Sequence, residues 1–140
     1  MRQKINIITL GVKDYKKSLA FFEKGLGWKK SSASQDDIAF FPVGGMAMAL
    51  YPRDLLEKDA TVKFDKGYAG ITLAYNAKNE KEVDEVLDTV KKLGAKIIKP
   101  AAKVFWGGYS GYFEDIDGHL WEVAHNPFLE FDEKDNLVLP

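Results

Sequence analysis

The sequence predicts an α+β protein in which one βαβββ unit is written twice. Three observations carry this. Ile8-Thr9-Leu10 recurs as Ile71-Thr72-Leu73, and Leu26-Gly27-Trp28-Lys29-Lys30 is echoed by Leu93-Gly94-Ala95-Lys96-Ile97, at offsets of 63 and 67 residues. Self-similarity of this kind marks a repeated supersecondary unit. Each copy also holds one apolar stripe at helical spacing, followed by short strand-like runs broken by turn residues.

In the first copy, Ile5 to Val12 reads as a strand and Asp14 as the cap of a helix with the stripe Tyr15, Leu19, Phe22 and Leu26. Gly25 and Gly27 end that helix. In the second copy Asn79 precedes Glu82 by three residues, as at the start of a capping box. Val83, Val86, Leu87, Val90 and Leu93 form the buried face, and Gly94 ends it. The charges Glu80, Lys81, Asp84, Glu85, Lys91 and Lys92 fall largely between those positions, which predicts a solvated outer face.

The runs Trp28 to Ser34, Ile38 to Val43 and Met46 to Tyr51 read as strands, as do Ala95 to Lys99, Tyr109 to Glu114 and Leu120 to His125. Gly44-Gly45 and Asp115-Ile116-Asp117-Gly118 are the hairpin turns. The expected architecture has helices near residues 15–25 and 80–93 and eight main strands. Unit one spans 1–52, a crossover 53–67 and unit two 68–127, together a single domain over 1–127. Arg53 to Lys58 can form a turn or two of helix within the crossover. The tail 128–140 offers Phe128, Leu129 and Phe131 for docking. A half of ~60 residues buries too little surface to fold alone.

Composition narrows the chemistry. Lys and Arg number 20 against 21 acids in 140 residues, so no net field draws the chain to nucleic acid or to an anionic membrane. The absence of Cys excludes disulfides, thiolate nucleophiles, zinc–thiolate sites and iron–sulfur clusters. With only two His, a three-histidine metal site is excluded and any metal would depend mainly on carboxylates. No run nears the ~20 apolar residues of a membrane helix, and the N-terminal apolar run is too short for a signal segment. A cytoplasmic protein is expected. Gly108-Tyr109-Ser110-Gly111 lacks the spacing and the strand–turn–helix context of a nucleophile elbow. Gly44-Gly45 precedes a strand, so no helix N-terminus follows it to cradle a phosphate.

The tandem units, the Leu26-Gly27-Trp28 after the first helix, and the run Tyr112-Phe113-Glu114-Asp115-Ile116-Asp117-Gly118-His119-Leu120-Trp121-Glu122 closing the second unit resemble the vicinal oxygen chelate superfamily. That is the glyoxalase, bleomycin-resistance protein and extradiol dioxygenase group. The resemblance covers Ile5 to Pro127, with Ile116 where the family pattern has Pro. It implies paired half-barrels around a shared cavity and a divalent metal held by side chains from both units. The family's ligand places near the start of each unit's first strand fall on Ile7 and Gly70. Those near the end of each last strand fall on Ala49 and Glu122. Hard divalent cations take about six or more oxygens, which a lone carboxylate cannot supply. No cofactor is therefore expected, and a divalent metal only with non-standard ligands.

Strand alternation places Leu120, Glu122 and Ala124 on one face, and His119, Trp121, Val123 and His125 on the other. A partly desolvated Glu122 in an apolar cup can act as acid/base or hold a ligand. Phe105 to Tyr112 concentrates aromatics and glycines, so rings can stack on a ligand while the backbone comes close. The expected cavity is lined by Trp106, Tyr109, Gly111 and Glu122, with Phe41 and Tyr51 from the first copy, although Phe41, Met46, Met48 and Tyr51 also read as core. Glu122 is expected beside Gly111, whose missing side chain leaves room. His119 reads as an exposed residue after a turn, and His125 as a hydrogen-bonded edge residue that fixes the tail.

The functional expectation is metal-independent binding of an unknown small molecule, as in the bleomycin-resistance branch. The alternative is a lyase, isomerase or dioxygenase of the same superfamily that uses Glu122 as acid/base or as part of a non-standard metal site. The resemblance further implies a homodimer.

Overall fold

The computed structural model describes residues 7–61, 63 and 71–138. The chain divides into two compact units, Met1–Gly67 and Tyr68–Pro140. Residues 5 and 6 of the expected first strand, Gly70, and most of the crossover after residue 61 lie outside the described residues.

Unit one contains β1 (Ile7–Val12), α1 (Tyr15–Ala20) continuing into a π-helical turn (Phe21–Gly25), β2 (Ala39–Pro42), β3 (Ala47–Pro52) and α2 (Arg53–Ala60). Its sheet has the order β1-β3-β2, with β1 parallel and β2 antiparallel to β3. Asp14 caps α1 by accepting from the Lys17 N–H at 3.1 Å. Phe22, Trp28 and Phe41 form an aromatic core, with the Phe41 ring 5.8 Å from Phe22 and 6.0 Å from Trp28. The crossover starts as a helix longer than expected, α2. The Arg53 guanidinium ties it to β1 by donating to the Gly11 carbonyl at 3.3 Å.

The strand expected over residues 28–34 does not form. Serine side chains there compete with a ladder for the backbone. Ser31 Oγ accepts from the Ala33 N–H at 3.2 Å and Ser34 Oγ from the Phe40 N–H at 2.9 Å. One ladder-like bond remains, from Ser31 N–H to the Phe40 carbonyl at 2.8 Å. The two main sheets therefore hold seven strands among the described residues, against the eight expected.

Unit two contains β4 (Leu73–Asn76), α3 (Glu80–Lys92), β5 (Lys96–Lys103), β6 (Tyr109–Glu114), β7 (Leu120–His125) and a tail hairpin of β8 (Glu130–Phe131) and β9 (Leu137–Val138). The main sheet has the order β4-β7-β6-β5. Asn79 accepts from the Glu82 N–H at 2.9 Å to start α3, and Gly94, at φ +96°, ends it. The helix packs on β5, β6 and β7 and buries Val83, Leu87 and Val90. Each such side chain contributes about 1.5–3 kcal/mol relative to exposure. β5 runs past the expected Lys99 because it is an edge strand, where Pro100 costs no ladder bond and the register shifts are absorbed.

The units match at a different offset from the one the repeated letters suggest. Ile8 pairs with Met48 and Leu73 with Trp121, each partner standing three residues beyond a turn glycine, Gly45 or Gly118. Ile8 is thus the counterpart of Leu73, and Ile71 and Thr72 precede β4. The repeated Ile-Thr-Leu is displaced by two residues from true strand equivalence. Hairpin and cap geometry, not the letters, set the register.

Candidate functional site

The sheet of unit two has one face under α3 and one turned away from it. A Cβ built on Gly111 would lie 2.8 Å from Leu87 Cδ1 of α3, so Gly111 belongs to the covered face. Its ladder partner is Val123, which is fully buried. Alternation adds Tyr109, Phe113, Trp121 and His125 to this face. Phe113 and Trp121 stack with centroids 6.0 Å apart, and Tyr109 Oη donates to Asp84 Oδ1 of α3 at 2.9 Å. That hydrogen bond, with some burial, raises the Tyr109 phenol above its ordinary range.

The open face carries Glu122. It stands directly across from Tyr112 in the β6–β7 pair and beside Ala74 of β4, and it is half-buried. Ser110 and Ala124 pair one step along, both buried, and Glu114 pairs with Leu120 one step the other way. β5 contributes cations. Lys99 Nζ lies 5.7 Å above the Tyr112 ring, within cation–π range, and Lys96 Nζ lies 3.8 Å from Glu114 Oε2. Ala74, Glu122, Tyr112 and Lys99 thus stand in a row across the sheet from β4 to β5, with the carboxylate between a small side chain and a flat ring and the ammonium group on the far side of that ring.

The expected lining residues separate accordingly. Tyr109 and Gly111 lie on the covered face, opposite Glu122, and the expectation that Gly111 makes room beside the carboxylate is corrected. The loop between Glu114 and Leu120 holds five residues, and closing it pairs Glu122 with Tyr112 and moves Gly111 onto Val123. Gly111 instead lets α3 and the β5 backbone approach, because its Cβ would also lie 2.8 Å from the Lys99 carbonyl oxygen. Trp106 sits at the β5–β6 tip with its ring on Gly108, whose Cβ would fall 1.7 Å from it. Gly108 lies outside β6, so alternation does not assign this ring to either face.

In unit one, Phe41 is 1% exposed in the aromatic core, at the base of a cleft of about 330 Å³ with Trp28 and Pro42. Tyr51 pairs with Gly11 and shares its face with Ala49 and Phe40, the face opposite Phe41. The structure does not bring Phe41 and Tyr51 together.

Sequence reasoning missed the role of Asp115. Its carboxylate is buried under the β6–β7 turn, where Oδ1 accepts from the Asp117 and His119 N–H groups, both at 2.9 Å. Oδ2 accepts from Trp121 Nε1 at 3.2 Å and lies 3.0 Å from His119 Nδ1. Burial pushes its pKa up, but these hydrogen bonds, led by that from His119, outweigh burial and hold the carboxyl below its usual range. His119 is therefore a turn partner of Asp115 and not a free surface residue. His125 Nδ1 lies 3.2 Å from the Ala77 carbonyl oxygen.

The donor set does not match the metal that the resemblance implies. Ile7 and Ala49 offer no ligand atom, and by strand register the counterpart of Ile7 is Thr72, with Gly70 outside the described residues. Among the described residues no group of three His, Cys, Asp or Glu side chains converges. Among them, too, no helix is long and apolar enough to cross a membrane.

Residues 4–123 match the family model described as the Glyoxalase/Bleomycin resistance protein/Dioxygenase superfamily. The fosfomycin resistance protein FosX of Listeria innocua serovar 6a is 30% identical over 122 residues, covering 83% of this chain and 84% of the relative. The metallothiol transferase FosB of Lysinibacillus sphaericus is 32% identical over 120 residues, covering 86% and 80%. A glyoxalase-related enzyme from Fulvimarina pelagi superposes with a TM-score of 0.89 at 29% identity, over 98% of both chains. These relatives overturn the expectation of no cofactor. One of them is named a metallothiol transferase, a name that includes a metal.

Proposed function

The chain belongs to the glyoxalase/bleomycin resistance protein/dioxygenase superfamily, and from that membership we propose that it takes a small organic molecule on the open face of unit two, with Glu122 as polar anchor. The observation that carries this is the setting of Glu122: half-buried, opposite Tyr112, beside Ala74 and turned away from α3. A carboxylate there accepts from a ligand hydroxyl or N–H, and the neighbouring ring supplies flat apolar contact. That is the usual make-up of a small-molecule site. Lys99 adds a cation for a ligand with an anionic group.

A thermal-shift screen of small organic acids, amides and alcohols, run with and without divalent metal, tests the reading. Compounds that raise the wild-type melting temperature should lose that effect in Glu122→Gln. Equal shifts in both proteins would count against Glu122 as the anchor.

The relatives named for fosfomycin resistance favour a second reading, in which the same face performs chemistry on fosfomycin with Glu122 as acid/base. Phosphorus NMR of fosfomycin incubated with the protein, a thiol and a divalent metal decides it. The reading requires conversion that Glu122→Gln abolishes, and unchanged fosfomycin excludes it.

A further inference from the structure

A cleft of about 660 Å³ lies in unit two between the end of β7 and the tail hairpin, beyond Glu122 along the chain and built largely by residues after the superfamily match. We propose that this cleft is a second ligand site and that it takes a small organic cation, an ammonium group on an aromatic or aliphatic body. Its size falls within the ~300–1,000 Å³ of small-molecule pockets.

The floor and the polar groups divide the work. Leu129 and Phe131 supply apolar surface, and His125 stands at the mouth of the β7 strand end. The 3.2 Å contact of His125 Nδ1 with the Ala77 carbonyl oxygen holds the ring at the edge of the cleft. The charges around it do not cancel. Lys78 is engaged by Asp135 at 2.6 Å, which neutralises both. Asp132 holds three N–H groups, from Lys134, from Asn136 and from the Asn136 amide, and these hold its carboxyl below the usual range, so it stays ionised. Glu130 adds a second uncompensated carboxylate. Two carboxylates beside an apolar floor select an ammonium group and reject a carboxylate of the same shape.

The test is a nitrogen–proton correlation NMR titration of the full chain with phenethylammonium, and separately with 3-phenylpropionate, its charge-reversed counterpart. Saturable shifts should appear at Lys78 and over residues 125–136 with the cation only. Glu130→Gln, at an exposed position of β8 and with the backbone pairing kept, should weaken the cation by about 1.5-fold to fivefold, the scale of one exposed charge contact. Equal response to the two probes, shifts confined to other parts of unit two, or unchanged affinity in Glu130→Gln would each overturn the proposal. Shifts at residues 125–136 and shifts at residues 74, 110–112 and 122–124 are read separately, so failure of this proposal and failure of the open-face reading are distinguishable.

Discussion

Tyr112 stands directly across from Glu122 in the β6–β7 ladder, and Lys99 Nζ lies 5.7 Å above the same ring. The ring is therefore a shared wall for a carboxylate and an ammonium group. Replacing Tyr112 with Ala should weaken any ligand of this face by about 1–3 kcal/mol, the scale of a lost aromatic contact. Calorimetric titration of the variant measures it.

Gly111→Ala should destabilise the fold without touching the open face. The added methyl would meet the Lys99 carbonyl oxygen at 2.8 Å and the Ala101 nitrogen at 2.9 Å, and backbone atoms cannot turn aside as a side chain can. A cost of about 1–3 kcal/mol is expected for overpacking of this kind. Urea denaturation gives the value, and a wild-type midpoint would show that β5 is not held where the structure has it.

Asp115→Ala should cost about 2–4 kcal/mol. It removes the acceptor of Trp121 Nε1 and of two turn N–H groups in a buried setting. Ile116→Pro, which restores the family's turn residue at an exposed position, should be tolerated far better.

The same carboxylate sets an acid limit. Because Asp115 has a folded pKa below its ordinary value, the unfolded chain binds the proton first as pH falls. Its stabilisation is complete above the unfolded carboxylate value of about 3.9 and is lost as pH drops through the lower folded value. Wild type should therefore lose more stability than Asp115→Asn between pH 5 and pH 3, measured by urea midpoints. Parallel losses would show that Asp115 is not the titrating group.

Much of this fold was legible because local chemistry and period agreed. Asn79, the Val83 to Val90 stripe and Gly94 all name the same helix, and they bound α3. Trp28 to Ser34 misled because its pattern suits a strand while Ser31 and Ser34 satisfy the backbone themselves. The face of Glu122 follows from alternation alone. Its neighbour does not, since whether Glu122 meets Gly111 or Tyr112 depends on a five-residue turn closed by the bond from Asp115 N–H to the His119 carbonyl at 3.0 Å. One residue of turn length moves every cross-strand partner. The Asp-x-Asp-Gly-His run held that information, through Asp115 as acceptor for residues two and four places on. The cationic wall could not be read at all, because Lys99 reaches Tyr112 only through an irregular edge register.

The central claim is that the open face of unit two receives a small molecule at Glu122. It is tested most directly by nitrogen–proton correlation NMR of wild type and Glu122→Gln, titrated with the compounds that stabilise the wild type. The account predicts saturable shifts centred on residues 74, 110–112 and 122–124, and their loss in Glu122→Gln while the remaining spectrum is unchanged. Shifts that persist in the variant, or that fall only on the α3-covered face, would contradict it.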